Sequence, residues 1–97
     1  MAKKGYWIAF YRSASDPTVQ AEYGKLARPA IEAAGGRTLS AGKPAKTIEA
    51  GMNERAVVIE FDSVEKAVAA YQSDAYQAAL KVFNNAAVRD IRIVEGL

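Results

Sequence analysis

Glu60 is the first residue of this sequence whose surroundings suggest chemistry. It lies within the apolar run Arg55 to Phe61 (RAVVIEF). A carboxylate buried among apolar neighbours has a raised pKa and can serve as an acid or a base. The alternative is structural: an ion pair with an arginine on a neighbouring strand, or a contact with the same residue of a second subunit. The pattern favours the structural interpretation, and Glu60 remains a candidate catalytic residue.

Asp90 and Arg92 are a second candidate pair, two residues apart in the run Val88 to Glu95 (VRDIRIVE). In a strand they share one face, while Ile91 and Ile93 share the other. An arginine in this position can hold a carboxylate or an enolate by paired hydrogen bonds. An ion network within the sheet or between subunits, reaching toward Glu60, explains the same pair and is favoured.

Three aromatic residues, Trp7, Tyr11 and Tyr23, are candidates for the lining of a pocket between the first helix and the sheet. Aromatic side chains with a polar tip suit an aromatic or lipophilic ligand, and Tyr11 is also a candidate for proton transfer. Arg28, in the same helix as Tyr23, is a candidate for stabilising negative charge, as is Arg92. Ordinary core and interface packing also explains the aromatic residues and is the favoured interpretation.

Missing residue types restrict the chemistry further. The 97 residues include no Cys and no His, which excludes thiolate catalysis and removes the commonest general base and transition-metal ligand. We therefore expect no metal and no cofactor. The net charge of +2 comes from 13 basic and 11 acidic side chains, without the basic stripe typical of nucleic-acid binding.

The chain is expected to stay in the cytoplasm and out of the membrane. No apolar run approaches the roughly 18 residues of a membrane-spanning helix. The first residues, Met1 to Gly5, lack the apolar stretch and cleavage site of a signal peptide.

Residues 1–97 are expected to form one domain that begins with a strand and a helix. The strand Tyr6 to Tyr11 is apolar on both faces, which is typical of a central strand. Asp16 as N-cap and Pro17 as first helical residue begin the helix, and Gly35-Gly36 ends it.

The second half of the chain repeats this order with a broken helix. Arg37 to Ala41 is a short strand, and residues 42–53 are a loop or irregular hairpin arm in which residues 47–49 pair weakly. Arg55 to Phe61 is the third strand. Ser63 caps a second helix, Ser73 interrupts it and caps a third, and Val88 to Glu95 is the last strand.

This order predicts a ferredoxin-like α+β fold, βαββαβ with a split second helix, whose helices cover one face of an antiparallel four-stranded sheet. The other face is then bare. Because the strands carry large apolar residues on both sides, including Val58, the bare face is expected to be apolar. A homodimer formed through this open face, as in a dimeric α/β barrel, would bury it.

Several segments together resemble a known family. They are Gly35-Gly36-Arg37, Val57 to Ser63 (VVIEFDS), Ala70 to Gln77 (AYQSDAYQ) and Val94-Glu95-Gly96. Over about Tyr6 to Gly96 the chain is similar to the domain of unknown function 1330 family. The resemblance implies the dimeric α/β-barrel superfamily and no settled activity. Related barrels include small monooxygenases, dehydratases and muconolactone isomerases, which is an analogy of fold alone.

Two functional hypotheses follow. The first is a small dimeric domain with a binding or structural role, without catalysis and with a small molecule as its possible ligand. The alternative is a cofactor-free enzyme, similar to a monooxygenase or an isomerase, acting on a small aromatic or carboxylic substrate. In the enzyme, Glu60 or Tyr11 would move the proton, and Arg92 or Arg28 would stabilise negative charge.

Overall fold

The sequence folds into one antiparallel sheet with three helices on one of its faces. A computed structural model describes residues 3–97. The elements follow one another as β1 (Gly5–Tyr11), α1 (Pro17–Ala33), β2 (Arg37–Gly42), β3 (Ala56–Phe61), α2 (Val64–Gln72), α3 (Asp74–Phe83) and β4 (Arg89–Glu95). The strand order is β2-β3-β1-β4, and every neighbouring pair is antiparallel. The predicted ferredoxin-like arrangement with a split second helix is confirmed.

Short polar side chains set the ends of the helices, as the sequence predicts. The Asp16 carboxylate accepts the backbone N–H of Thr18 at 2.7 Å and so caps α1. Ser73 separates α2 from α3: its hydroxyl donates to the Ala70 carbonyl and accepts the N–H of Tyr76. Asn84 ends α3 in the left-handed conformation, with φ of 47°.

The core lies between the helices and one face of the sheet. Side chains alternate along β1, so Trp7, Ala9 and Tyr11 are buried beneath the helices. Trp7, Phe61 and Tyr76 are the largest side chains with almost no exposure. The Trp7 ring lies 6.2 Å from that of Phe61 and 5.0 Å from that of Tyr76, between ring centroids.

The opposite face of the sheet has no helix over it within residues 3–97, and the domain is only 16 Å thick along its shortest axis. The pairing register places Ile8 beside Val58 at its centre. Phe10 and Val94, on the same face, are 45% and 46% exposed. The open face therefore carries an apolar patch, as the alternation in the sequence predicts.

Two local expectations were wrong. The expected loop between the second and third strands is confirmed from residue 43 onward, but residues 47–49 form no strand within it. The helical spacing of Val64, Ala67, Val68 and Tyr71 in the sequence predicts that all four face inward, but Val68 is 37% exposed. Ala67 and Ala70 make the close approach of α2 to the sheet in its place.

Candidate functional site

A cavity of about 110 Å³ lies between α1 and the helix-facing side of the sheet. Its floor consists of apolar side chains from β1 and β3: Trp7, Ala9, Val57 and Ile59. Its roof is one stripe of α1, formed by Gln20, Gly24, Ala27, Arg28 and Ile31. The helical period that buries Ala27 and Ile31 places the other three residues of this stripe at the rim.

Polar groups converge at the end of the cavity where β1 ends and β4 begins. Tyr11 faces Arg89 in the register of these two strands. The Arg89 guanidinium donates to the Tyr23 hydroxyl at 3.1 Å, and the hydroxyls of Tyr23 and Tyr76 bond to each other. Burial raises the pKa of Tyr76 well above its ordinary value, so its phenol stays protonated at neutral pH.

Aromatic rings surround the Arg89 guanidinium. Its central carbon lies 4.3 Å from the ring centroid of Phe83, 5.2 Å from that of Tyr23 and 5.6 Å from that of Tyr11. Rings at these distances attract a cation through their quadrupoles. Arg89 is thus held as a partly buried cation by aromatic faces and one hydroxyl, with no carboxylate of residues 3–97 in ion-pair contact with it.

Arg55, the residue just before β3, also lines the cavity. Its backbone carbonyl accepts the N–H of Tyr11 at 2.9 Å, which fixes the residue beside the end of β1. The Nε–H of its guanidinium is buried and has no hydrogen-bond partner among residues 3–97. An unpaired buried donor costs about 1–3 kcal/mol, so the contacts within residues 3–97 leave the Arg55 guanidinium incompletely satisfied.

Gln20 fixes the Tyr11 hydroxyl at the rim. Its side-chain carbonyl accepts the Ser15 hydroxyl at 2.9 Å and the Tyr11 hydroxyl at 3.3 Å. The Tyr11 hydroxyl therefore donates its one proton to Gln20, and toward any other group it can act only as a hydrogen-bond acceptor.

The open face of the sheet carries a separate group of charges at one corner. Glu60 accepts hydrogen bonds from the Tyr6 hydroxyl at 2.9 Å and from the Arg37 guanidinium at 3.0 Å. Arg37 also pairs with Asp62, which Lys4 contacts at 3.2 Å. The hydrogen bonds from Tyr6 and Arg37 lower the pKa of Glu60, and those from Lys4 and Arg37 lower the pKa of Asp62.

A second group of charges occupies the opposite end of this face. The Asp90 carboxylate accepts hydrogen bonds from the guanidinium groups of Arg92 at 2.8 Å and Arg12 at 3.1 Å. The hydrogen bond from Arg92, followed by that from Arg12, lowers the pKa of Asp90. Beside it, an open groove of about 730 Å³ separates the sheet from the loop between β2 and β3, and Phe10 and Met52 contribute to its walls.

Comparison with known proteins assigns a family. The model of the family described as Domain of unknown function (DUF1330) matches residues 4–97. The chain belongs to the DUF1330 family. Its predicted resemblance is thereby confirmed, and no curated protein matches this DUF1330 domain.

Solved structures share the fold at low sequence identity. RPA0582 of Rhodopseudomonas palustris, a protein of unknown function, is 20% identical with a TM-score of 0.72, covering 100% of this chain and 85% of that one. A Caulobacter crescentus CB15 protein proposed to be an antibiotic biosynthesis monooxygenase is 15% identical with a TM-score of 0.64, covering 99% and 92%. A dimeric ferredoxin-like protein of unknown function from Thermobifida fusca YX is 17% identical with a TM-score of 0.57, covering 99% and 93%.

The structure of the DUF1330 domain separates the residues that the sequence singles out. Trp7, Tyr11, Tyr23 and Arg28 line the cavity beneath α1. Glu60, Asp90 and Arg92 lie on the open face of the sheet, on the other side from the cavity. Any ligand in the cavity is therefore out of reach of all three.

The ion pairs of the open face follow the structural interpretation. Glu60 pairs with a neighbouring-strand arginine, Arg37, and its pKa is lowered and not raised. Asp90 pairs with Arg92 and Arg12, and the expected extension of this network to Glu60 is absent from the contacts of residues 3–97.

Two arginines that line the cavity, Arg55 and Arg89, were not among the candidate residues identified from the sequence. A signal for both was present. Arg55 is in phase with the buried Ile59 and Phe61, and Arg89 is in phase with Ile91 and Ile93. A charged residue on the apolar face of a strand is an exception that marks a site.

Within residues 3–97, no group of three or more acidic side chains is placed to hold a metal ion. No helix in this range has the length and apolarity to cross a membrane.

The carboxylates of the open face predict how the stability of this DUF1330 domain depends on pH. Because folding lowers the pKa values of Glu60, Asp62 and Asp90, their stabilisation is complete above the ordinary carboxyl pKa of about 4 and is lost as the pH falls through the lowered values. Urea unfolding followed by Trp7 fluorescence should show a free energy of unfolding that decreases on acidification. Glu60→Gln should make this decrease shallower.

Glu32→Gln, which removes an exposed carboxylate on α1, is the control for that measurement. An unchanged pH dependence in Glu60→Gln would show that the Glu60 contacts do not contribute to folding.

Proposed function

We propose that this DUF1330 domain is a homodimeric binding domain for a small organic molecule, and that the molecule occupies the cavity between α1 and the sheet. The observation that carries the proposal is the convergence of the Tyr23 hydroxyl and the Arg55 and Arg89 guanidinium groups over an apolar floor. A few convergent polar groups in an otherwise apolar pocket are the usual composition of a ligand site.

Gly24 supports the proposal independently. It lies in the middle of α1, where glycine costs about 1 kcal/mol relative to alanine. A Cβ at this position would meet no atom within 4 Å, so packing does not require the glycine. Its effect is to leave the rim of the cavity open between Gln20 and Arg28.

The composition of the cavity favours binding over acid–base catalysis. Its lining among residues 3–97 contains no carboxylate, and the sequence contains no His. The Tyr11 proton is engaged by Gln20, and Glu60 lies on the other face. A general base with a pKa near neutrality is therefore missing where the ligand would sit.

The open face supports the homodimer. Its centre is apolar, with Ile8 and Val58 side by side, and the charged groups of Glu60 and Asp90 flank it at opposite ends. An apolar centre with a polar rim is the usual anatomy of a protein interface. The Thermobifida fusca protein of the same fold is described as dimeric.

A cavity-filling variant tests the site. Fragments that bind the ¹⁵N-labelled protein should shift the amide resonances of α1, β1 and β3. Gly24→Leu, whose Cβ would meet no atom within 4 Å at the rim, should reduce their affinity at least about tenfold, the equivalent of 1.4 kcal/mol. Ala21→Leu, on the exposed side of the same helix, is the matched control and should bind as the wild type does.

The stability of a third variant, Gly24→Ala, checks that the helix tolerates a side chain at this position. Gly24→Ala should raise the free energy of unfolding by about 1 kcal/mol, because alanine is the better helix former. Equal fragment affinity in Gly24→Leu and wild type, or resonance shifts confined to another surface, would refute the proposed site.

A further inference from the structure

The guanidinium groups of the cavity lack the partners that arginines in folded proteins ordinarily have. Of the ion pairs formed within residues 3–97, none includes Arg55 or Arg89. By contrast, Arg12, Arg37 and Arg92 on the open face each contact a carboxylate. The protein thus neutralises these three exposed arginines and leaves Arg55 and Arg89 without an acidic partner.

The unpaired positions are those where pairing is most needed. Arg89 is wrapped by the rings of Phe83, Tyr23 and Tyr11, and the Nε–H of Arg55 is buried without an acceptor. Both residues line the same small cavity, whose other lining residues supply phenol, amide and apolar groups but no carboxylate of residues 3–97. A buried charge without a partner is unfavourable, and an anion in the cavity would remove that imbalance.

From this arrangement we infer that the ligand is a small planar carboxylate, with its carboxylate group held by Arg55 and Arg89. The inference rests on the proposed function, since it names the chemical class of the molecule in the same cavity. A guanidinium presents parallel N–H donors that match the two oxygens of a carboxylate. Arg28, at the rim of the same cavity, adds a third positive charge near the entrance.

The size and walls of the cavity favour a carboxylate over a phosphate. Its volume is about 110 Å³, and its floor is formed by Trp7, Val57 and Ile59. Such walls suit a short, flat organic body more than a strongly hydrated dianion. The Tyr23 hydroxyl, bonded to Tyr76 and Arg89, lies at the carboxylate end of the ligand and adds a polar contact there.

Matched acid and amide probes test the inference on the full chain. Benzoate and pyruvate are each titrated by calorimetry and by ¹⁵N NMR beside their neutral counterparts, benzamide and pyruvamide. At least one acid should bind at least about tenfold more tightly than its amide, since hydrogen bonds to a charged group are roughly twice as strong as neutral ones. Its resonance shifts should include the amides of Arg55 and Arg89.

Variants distinguish the arginines from the overall charge. Arg55→Gln and Arg89→Gln should each weaken acid binding at least about tenfold and weaken amide binding by a smaller factor. Arg55→Lys keeps the charge but removes the forked donors, and it should give an intermediate affinity. Lys81→Gln, an exposed position on α3, removes the same charge elsewhere and should bind as the wild type does. Circular dichroism identifies any variant that has not folded. If Arg55→Gln does not fold, the acid affinity of Arg55→Lys tests whether the forked donors of Arg55 bind the carboxylate.

The outcomes separate this inference from the proposed function. If amides bind as tightly as acids, or if acid affinity is unchanged in folded Arg55→Gln and Arg89→Gln, the carboxylate assignment is overturned while the cavity remains a ligand site. If inorganic phosphate binds through these arginines and neither acid does, the ligand is not a carboxylate, while the cavity again remains a ligand site. If no probe or fragment binds in the cavity, both proposals fall.

Discussion

Val58→Lys should convert the proposed homodimer to a monomer. Val58 lies at the centre of the open face, between Ile8 of β1 and Ser40 of β2. In a monomer the new ammonium group points to water, and the fold is kept. In the dimer it would be buried without a partner, at a cost of several kcal/mol. Because a two-fold interface repeats each residue, the dissociation constant should rise at least about 100-fold, the equivalent of 2.7 kcal/mol.

Sedimentation equilibrium over a range of concentrations measures this change. Val82→Lys is the matched control, because Val82 is a partly exposed valine on α3 (39%), away from the open face. The control should keep the dissociation constant of the wild type. A wild type that sediments as a monomer, or a Val58→Lys variant as strongly dimeric as Val82→Lys, would contradict the open-face dimer.

Much of the fold follows from local patterns in the sequence. Tyr6 to Tyr11 carries apolar groups on both faces because one face packs under the helices and the other forms the open face. Asp16 and Ser73 mark helix ends through the hydrogen bonds of their own side chains. Such signals act within a few residues, so they can be interpreted without knowledge of the tertiary structure.

The cavity depends on long-range information. Tyr23 and Tyr76 are 53 residues apart, and Tyr23 and Arg89 are 66 apart, yet they share one network. The sequence places Tyr23 on the inner stripe of α1 but does not show which strand lies below it. It also cannot show that the space there stays open at Gly24, because that gap depends on the distance between α1 and the sheet.

The strand face on which each residue lies explains why the sequence identifies Asp90 and Arg92 as candidates but not Arg55 and Arg89. Asp90 and Arg92 form an alternating charged pattern opposite Ile91 and Ile93, which attracts attention. Arg89 lies on the same side as those isoleucines, as the first residue of β4. A long side chain at a strand end is ordinarily assigned to solvent. In this domain the rings of Tyr11 and Phe83 hold it against the core.

Tyr76→Ala should produce the largest loss of stability among the predictions. Tyr76 is fully buried, and its ring contacts those of Trp7, Tyr71 and Tyr23 at centroid distances of 5.0, 5.3 and 6.1 Å. Removing a large aromatic side chain from such a position costs about 3–5 kcal/mol. That is a large share of the roughly 5–15 kcal/mol that stabilises a typical domain. Urea unfolding followed by the fluorescence of Trp7, the one tryptophan of the chain, measures the loss.

Tyr76→Phe separates the ring from the hydroxyl. The Tyr23 hydroxyl keeps its hydrogen bond from Arg89, so removing its partner on Tyr76 should cost only about 1 kcal/mol. If instead Tyr76→Phe is as damaging as Tyr76→Ala, the hydroxyl network and not ring packing stabilises this part of the core. If Tyr76→Phe is much less damaging than Tyr76→Ala, ring packing stabilises this part of the core, and Tyr76 supports the cavity as a rigid wall behind Tyr23. The position of Arg89 is then fixed by the rings around it, before any ligand is bound.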